Sequence, residues 1–265
     1  MSEPPTAPDS ASVQATFSLP VGGAALEASV QLPARRTTLT ELLPIVQNIE
    51  NAIIAKVADE ARAAGSPISC RAGCGACCRQ LVPVSLFEAE ALTDWLNSLP
   101  EERLAVLRER FHRALSTLRD AGVIESILDG NWRLDEEHAT KLAVDYFHAG
   151  AACPFLENES CSIHPIRPLS CREYMVTSPP ELCQDPSVHN VAGVQLPLRI
   201  SRALYAFGEQ IEEHGRGWIP LVFLLAWGKG GARPGEGVAD SGPELFRKFL
   251  DQVAAVSDVK PTSAP

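Results

Sequence analysis

Four cysteines within nine residues constrain this chain more than any other feature. They lie in the run Cys70-Arg-Ala-Gly-Cys74-Gly-Ala-Cys77-Cys78, spaced C-x3-C-x2-C-C. The other four cysteines stand at Cys153, Cys161, Cys171 and Cys183, and none lies between the two groups. A lone cysteine usually behaves as a small core hydrophobe. Four this close, with Gly73 and Gly75 among them, read instead as thiolate ligands for a metal ion or an iron–sulfur cluster. The glycines argue against a continuous helix and predict a loop through residues 70–74, with a helix starting near Cys77. Neighbouring side chains on a helix diverge by about 100°. Cys77 and Cys78 therefore serve either two nearby sites or one multinuclear cluster.

The second group adds a matching frame. Cys153-Pro-Phe-Leu, the polar turn Glu157-Asn-Glu-Ser and Cys161-Ser-Ile read as two short strands that bring Cys153 and Cys161 together, with Cys171 on a following helix. Hairpin cysteines plus one on the next helix suit a tetrahedral thiolate site. Cys183 stands apart, with ligand and spare core thiol both open. His164 is a further candidate ligand through its imidazole, with a hydrogen-bonding or surface role as the simpler reading, and His189 is a weaker one. Arg71, Arg79, Arg167 and Arg172 flank the thiols and offset their negative charge, lowering thiol pKa values. Arg167 and Arg172 are also candidates for binding an anionic substrate, although charge compensation and structural hydrogen bonding suffice to explain them. Tyr174 reads as a packing residue.

These blocks, CRAGCGACC at 70–78, CPFL at 153–156 and CSIHPIRPLSCREY at 161–174, resemble the YkgJ-like cysteine-cluster proteins. That is a zinc- or iron-chelating family with a CxxCxxCC signature. The likeness spans residues 66–185, and its first spacing is x3 where the signature has x2. The resemblance implies that Cys70, Cys74, Cys77, Cys78, Cys153, Cys161 and Cys171 are the ligand set, accompanied by Arg167, Pro168 and Arg172. The family includes flagellin lysine N-methylase-like proteins, which implies that some members work as enzymes around an iron–sulfur cluster. The spacing of Cys70, Cys74 and Cys77 also equals the three-cysteine pattern of radical-SAM enzymes. Those enzymes need a partial α/β barrel, and this chain shows no βα repetition.

A net charge of −10 argues against a nucleic-acid binder relying on a basic surface. With 45% hydrophobic and 21% charged residues the composition is that of an ordinary globular protein. The first residues show no basic or apolar segment of a signal peptide. The longest apolar run, residues 218–227, is too short to span a bilayer as a helix and reads as a buried core segment. The expected location is cytoplasmic, where cysteines stay reduced and serve as ligands. The expected partners are a metal ion or cluster and a protein substrate or partner, with neither nucleic acid nor membrane.

Along the chain, residues 1–12 and 257–265 read as disordered. Residues 13–65 read as a β-hairpin, from alternation at Val13 to Leu19 and Leu26 to Leu32, followed by a helix opened by a Thr38/Glu41 capping box and stopping near Gly65. Residues 66–190 form the cysteine core. It includes a helix from the Ser85/Glu88 capping box toward Ser98, one from Glu101 to Gly122, a short segment at 124–128 and a helix over 136–148. Residues 191–256 carry an amphipathic helix over 198–213, a mobile loop over 228–243 and a last helix over 244–256. The fold class is mainly α with small β-hairpins (α+β), a cysteine-rich metal-binding core wrapped by helices.

Two functions compete. One is a metal module with a 4Fe–4S cluster or iron site supporting redox or methylase-like group-transfer chemistry. The other is a zinc-stabilised structural or partner-binding domain, eight thiolates forming two closed sites without catalysis. Whether the chain is an enzyme stays open at this point.

Overall fold

The computed structural model describes residues 11–21, 24–130, 132, 135–184, 191–211 and 217–257. Alternation builds the first element. β1 (Ser12–Val21) pairs antiparallel with β2 (Ala24–Pro33), from Ser12 opposite Pro33 to Val21 opposite Ala24. One face turns Phe17, Leu19, Val21 and Leu32 inward, as the period of two requires. β3 (Arg36–Thr37) leads into α1 (Leu39–Ala63). Thr38 caps α1: its hydroxyl accepts the Glu41 amide at 3.2 Å and its own amide donates to Glu41 Oε2 at 2.8 Å.

After the cysteine loop, β4 (Pro83–Ser85) enters α2 (Leu86–Asn97) through the Ser85/Glu88 box. α3 (Glu101–Asp120), α4 (Val123–Asp129) and α5 (Glu136–His148) follow. Gly122, at φ 72°, adopts the left-handed conformation that separates α3 from α4. β5 (Leu156–Glu157) and β6 (Ser160–Cys161) form a minimal hairpin ahead of α6 (Leu169–Glu173). The last part holds α7 (Ile200–Ile211), β7 (Trp218–Pro220), α8 (Leu224–Gly228), α9 (Pro234–Gly237), β8 (Asp240–Ser241) and α10 (Gly242–Ser257). β3 pairs with β8 and β4 with β7, and every pairing between these strands is antiparallel. The fold is mainly helical with small strand pairs, as the pattern of residues indicates, and among the described residues no parallel strand pair of a βα barrel occurs.

Three apolar clusters hold it. The largest joins the β1–β2 hairpin, α1, α7 and α10 around Leu39, Ile53, Phe246 and Phe249. A second joins α2 and α3 to Phe155 and Ile163 of the cysteine segment. There Phe155 meets Phe111 edge-on at 5.5 Å and Trp95 at 6.1 Å, a preferred aromatic geometry. The third fills the space between α4, α5 and the end of α3.

Two expectations, on residues 228–243 and on the ends of the ordered chain, need correction, and the buried segment over residues 218–227 does not. Residues 228–243 are not a loop without structure. Arg233 pairs with Asp94 at 2.6 Å, the Gly235 amide donates to Glu90 Oε2 at 3.0 Å, and Asp240–Ser241 pairs with β3. The glycine-rich composition hid these long-range partners. Ser12 already belongs to β1, and α10 runs through Ser257; residues 1–10 and 258–265 lie outside the described residues. Residues 218–227 form a short strand and helical turns, with Leu221, Val222 and Leu224 buried. Among the described residues no helix is long and apolar enough to cross a membrane.

Candidate metal centre

The two cysteine segments are joined by hydrogen bonds before any ligand is considered. The Ser69 amide donates to the Val176 carbonyl at 2.9 Å and its hydroxyl to that of Ser178 at 2.5 Å. Gly73 takes φ 83°, and its amide donates to the Ser160 hydroxyl at 3.2 Å. Residues 70–75 are thus a loop, and Ala76–Arg79 is a single tight turn of helix carrying Cys77 and Cys78. At the end of that turn the Cys78 carbonyl accepts the Cys153 amide at 2.7 Å.

The β5–β6 hairpin is the clamp. Asn158 and Glu159 both take positive φ, 50° and 56°, the requirement of a two-residue type I′ turn. This aims Glu159 at the first segment, where Arg79 grips it with two nitrogens at 2.8 and 3.1 Å. Gly75 sits beneath the turn. A Cβ there would stand 2.5 Å from Glu159 Oε2 and 2.8 Å from Leu156 Cδ1, so a larger residue would displace both side-chain ends and loosen the clamp.

The result is a cavity of about 270 Å³ whose lining includes Cys77, Cys78, Cys153, Cys161 and Cys171, together with Arg167. Cys70, Cys74 and Cys183 do not line it. Cys74 borders a neighbouring hollow with Arg71, Glu159 and Glu181. Cys183 is buried in the turn Pro180–Gln184, which packs against Ala76–Arg79. The charge of Cys77 acts on Cys70 and Cys183 on one side and on Cys153, Cys161 and Cys171 on the other. The charge of Cys77 is therefore felt in both groups.

Burial sets the protonation of the thiols. It pushes Cys153 up to about 12 and raises Cys171, Cys161, Cys70 and Cys183 as well. Cys77 is the exception. The Cys78 thiol donates a hydrogen bond to it and Arg167 adds positive charge, bringing Cys77 down to about 7 against the opposing effect of burial. Cys78, as that donor and itself buried, is pushed strongly up. One thiolate is thus accessible near neutral pH among thiols that a metal must deprotonate.

The arginines divide by role. Arg172 is buried and donates to the Arg167 carbonyl at 3.0 Å, the Pro165 carbonyl at 2.6 Å and Asn51 Oδ1 at 2.9 Å. It fixes the loop through His164–Ile166 and has no reach left for a substrate. Arg79 is spent on Glu159, and Arg71 meets Glu181 at 3.4 Å. Arg167 differs, because its Nε is buried without a hydrogen-bond partner. Its charge acts on Cys70, Cys77, Cys161 and Cys171.

A set of thiols with an unpaired guanidinium N–H beside them fits a thiolate-ligated metal group, whose sulfur atoms accept such hydrogen bonds. The fit is to a wall rather than a point. Among the described residues no three histidine, cysteine or carboxylate side chains converge closely enough to grip an ion as they stand. His164 is exposed and outside the cavity, with its pKa lowered by Arg167, and His189 lies outside the described residues. Tyr174 borders the cavity with its hydroxyl accepting from Gln80 at 3.1 Å. It is 36% exposed and so is not a core packing residue.

Glu173, Arg199, Ser201, Arg202 and Tyr205 also line the cavity, on the side opposite the thiols in sequence, and sequence reasoning passed over them. Their only signal was the three-residue spacing of Arg199, Arg202 and Tyr205 on an amphipathic helix.

No curated protein and no solved structure matches the chain. A family model does match residues 69–190, under the description "CxxCxxCC: Putative zinc- or iron-chelating domain". All eight cysteines fall inside that range. With the thiols of both segments lining one cavity and tied together by backbone hydrogen bonds, residues 69–190 carry the cysteine pattern that the CxxCxxCC family model describes.

Proposed function

We propose that the chain holds an iron–sulfur cluster, or iron or zinc in the same place, through thiolates of both cysteine segments. In this reading Cys77, Cys78, Cys153, Cys161 and Cys171 are ligands from the cavity wall. Cys70, Cys74 and Cys183 supply a second group outside the cavity. The observation that carries the reading is that five thiols from two distant segments line one cavity. Four thiolates complete a tetrahedral zinc site. A fifth in the same cavity, with Cys77 and Cys78 adjacent, favours a multinuclear centre such as a 4Fe–4S cluster.

When bound, such a cluster would supply one-electron redox chemistry. The chain's own residues do the rest. Arg167 stabilises thiolate charge, and Phe155, Ile163 and Leu221 keep water from the thiol wall. The Arg79–Glu159 clamp holds the two segments at fixed separation. Methylase-like group transfer is the activity that the family resemblance suggests, and it would make a protein the substrate. All eight cysteines are free, which suits a reducing, cytoplasmic setting.

The second reading is a zinc-stabilised domain without catalysis. It draws on the same count of eight thiols, enough for two closed tetrahedral sites, with Cys70, Cys74 and Cys183 grouped apart from the cavity. Anaerobic purification with elemental and sulfide analysis separates the two. Brown protein containing iron and acid-labile sulfide supports the cluster. Colourless protein with stoichiometric zinc supports the closed sites, and protein that retains neither metal contradicts both.

A further inference from the structure

The thiol cavity has a second wall that a metal centre does not use. It is formed by the end of α6 and the start of α7, through Glu173, Arg199, Ser201, Arg202 and Tyr205. Glu173 is buried, and both of its oxygens are engaged by Ser201, the amide at 2.8 Å and the hydroxyl at 2.6 Å. The carboxylate is therefore occupied, and the first turn of α7 already has its cap. Arg199 and Arg202 are half-buried. Neither makes an ion pair or side-chain hydrogen bond among the described residues, although Arg199 lies near enough to Glu173 for its charge to be felt.

Two half-buried guanidinium groups that no side chain of the described residues engages keep their donors available to a ligand. Arg167 sits on the thiol side and acts on four cysteines, whereas the charge of Arg199 is felt at Glu173. Arg167 thus lies beside the thiols, and Arg199 beside Glu173. At about 270 Å³ the space lies below the roughly 300–1,000 Å³ of drug-sized ligand pockets, so beside a metal centre it has room only for a short ligand. The lining also includes the apolar side chains of Val82, Pro83 and Leu221.

We propose that Arg199 and Arg202 form the anion-binding end of a small-molecule site, taking a carboxylate on a short apolar stem that lies along Val82 and Leu221 toward the thiol wall. A planar guanidinium fork matches a carboxylate through two parallel hydrogen bonds. The site rests on the metal-centre reading only for what the far end of the ligand faces; its anion chemistry stands on the arginines.

The test is isothermal titration of butyrate, and separately of inorganic phosphate, into metal-loaded protein, with metal content measured on every sample. The wild type should bind butyrate saturably in the millimolar range. The Arg199→Gln/Arg202→Gln double variant should bind at least tenfold more weakly with metal content unchanged. No saturable butyrate binding in the wild type overturns the proposal, as does binding of phosphate alone or undiminished binding in the double variant. Loss of metal from the double variant overturns it too, since the arginines would then balance the charge of the metal centre. Should the double variant fail to fold, the single variants Arg199→Lys and Arg202→Lys keep the charge but lose the fork. Weakened butyrate binding in these supports the site, and unchanged binding in both contradicts it.

Discussion

Helix α1 buries eight side chains along its length, whereas between residues 66 and 80 of the cysteine segment only Gly75 is buried. The contrast separates two ways of holding a chain. The hairpin, α1, α7 and α10 exclude water from apolar surface, at roughly 1.5–3 kcal/mol for each large side chain fully buried. The cysteine loop has almost no such surface. It is held by the Ser69 and Gly73 hydrogen bonds, the Arg79–Glu159 clamp and whatever its thiols ligate. The contrast predicts that the shell holds without metal and that the cysteine loop depends on what it ligates.

The sharpest way to break this comparison is to take the metal away. Metal ligation contributes on the order of 10–16 kcal/mol in small zinc-folded peptides. Chelation of the purified protein should abolish hydrogen-exchange protection over residues 66–80 while α1 and α10 remain protected. Equal loss in both regions would show that they are not separable.

A converse experiment acts on the shell. Phe249 is fully buried between the hairpin and α7. Phe249→Ala should cost about 3–5 kcal/mol in denaturant unfolding, with metal stoichiometry unchanged.

The third prediction concerns pH. Glu50 is fully buried on α1, and neither carboxyl oxygen makes a full hydrogen bond, the Ile200 amide giving only a weak pull. Burial, and secondly the charge of Glu173, push Glu50 up to about 9. Between its ordinary value of 4.5 and about 9 the folded chain binds more protons at this position than the unfolded one. Stability from this group is therefore complete at low pH and is lost as pH rises through that window. A full proton of difference between the two states changes stability by about 1.4 kcal/mol per pH unit. Glu50→Gln should remove that slope. Its stability relative to wild type should improve by about 1–3 kcal/mol between about pH 5 and about pH 8, a discounted share of the full effect. Parallel urea midpoints at the two pH values would contradict it.

The smallest effect is at the capping box. Thr38→Ala removes the acceptor for the Glu41 amide and should lower stability by about 1 kcal/mol, again without loss of metal.

The shell was the legible half of the fold. Both capping boxes, the alternation in β1 and β2 and the helical spacing in α1 and α3 are local signals, and local signals survive without tertiary information. The loop–turn path through Cys70 to Cys78 was legible for the same reason, because Gly73 and Gly75 state it. What escaped were features created by distant partners. Residues 228–243 look structureless until Glu90 and Asp94 are placed beside them. The division of the eight cysteines, with Cys183 buried outside the cavity, comes from the Pro180–Gln184 turn docking on Ala76–Arg79, which no spacing encodes. Arg199 and Arg202 join the lining of the thiol cavity where α6 and α7 meet through Glu173 and Ser201.

The most direct test of the central claim is metal stoichiometry in two single variants, Cys77→Ser from the first segment and Cys171→Ser from the second, each purified anaerobically beside the wild type. A single centre built from both segments predicts that either substitution alone strips most of the metal or cluster. Full occupancy in Cys171→Ser, with loss confined to Cys77→Ser, would mean that the first segment chelates alone and would contradict the shared centre.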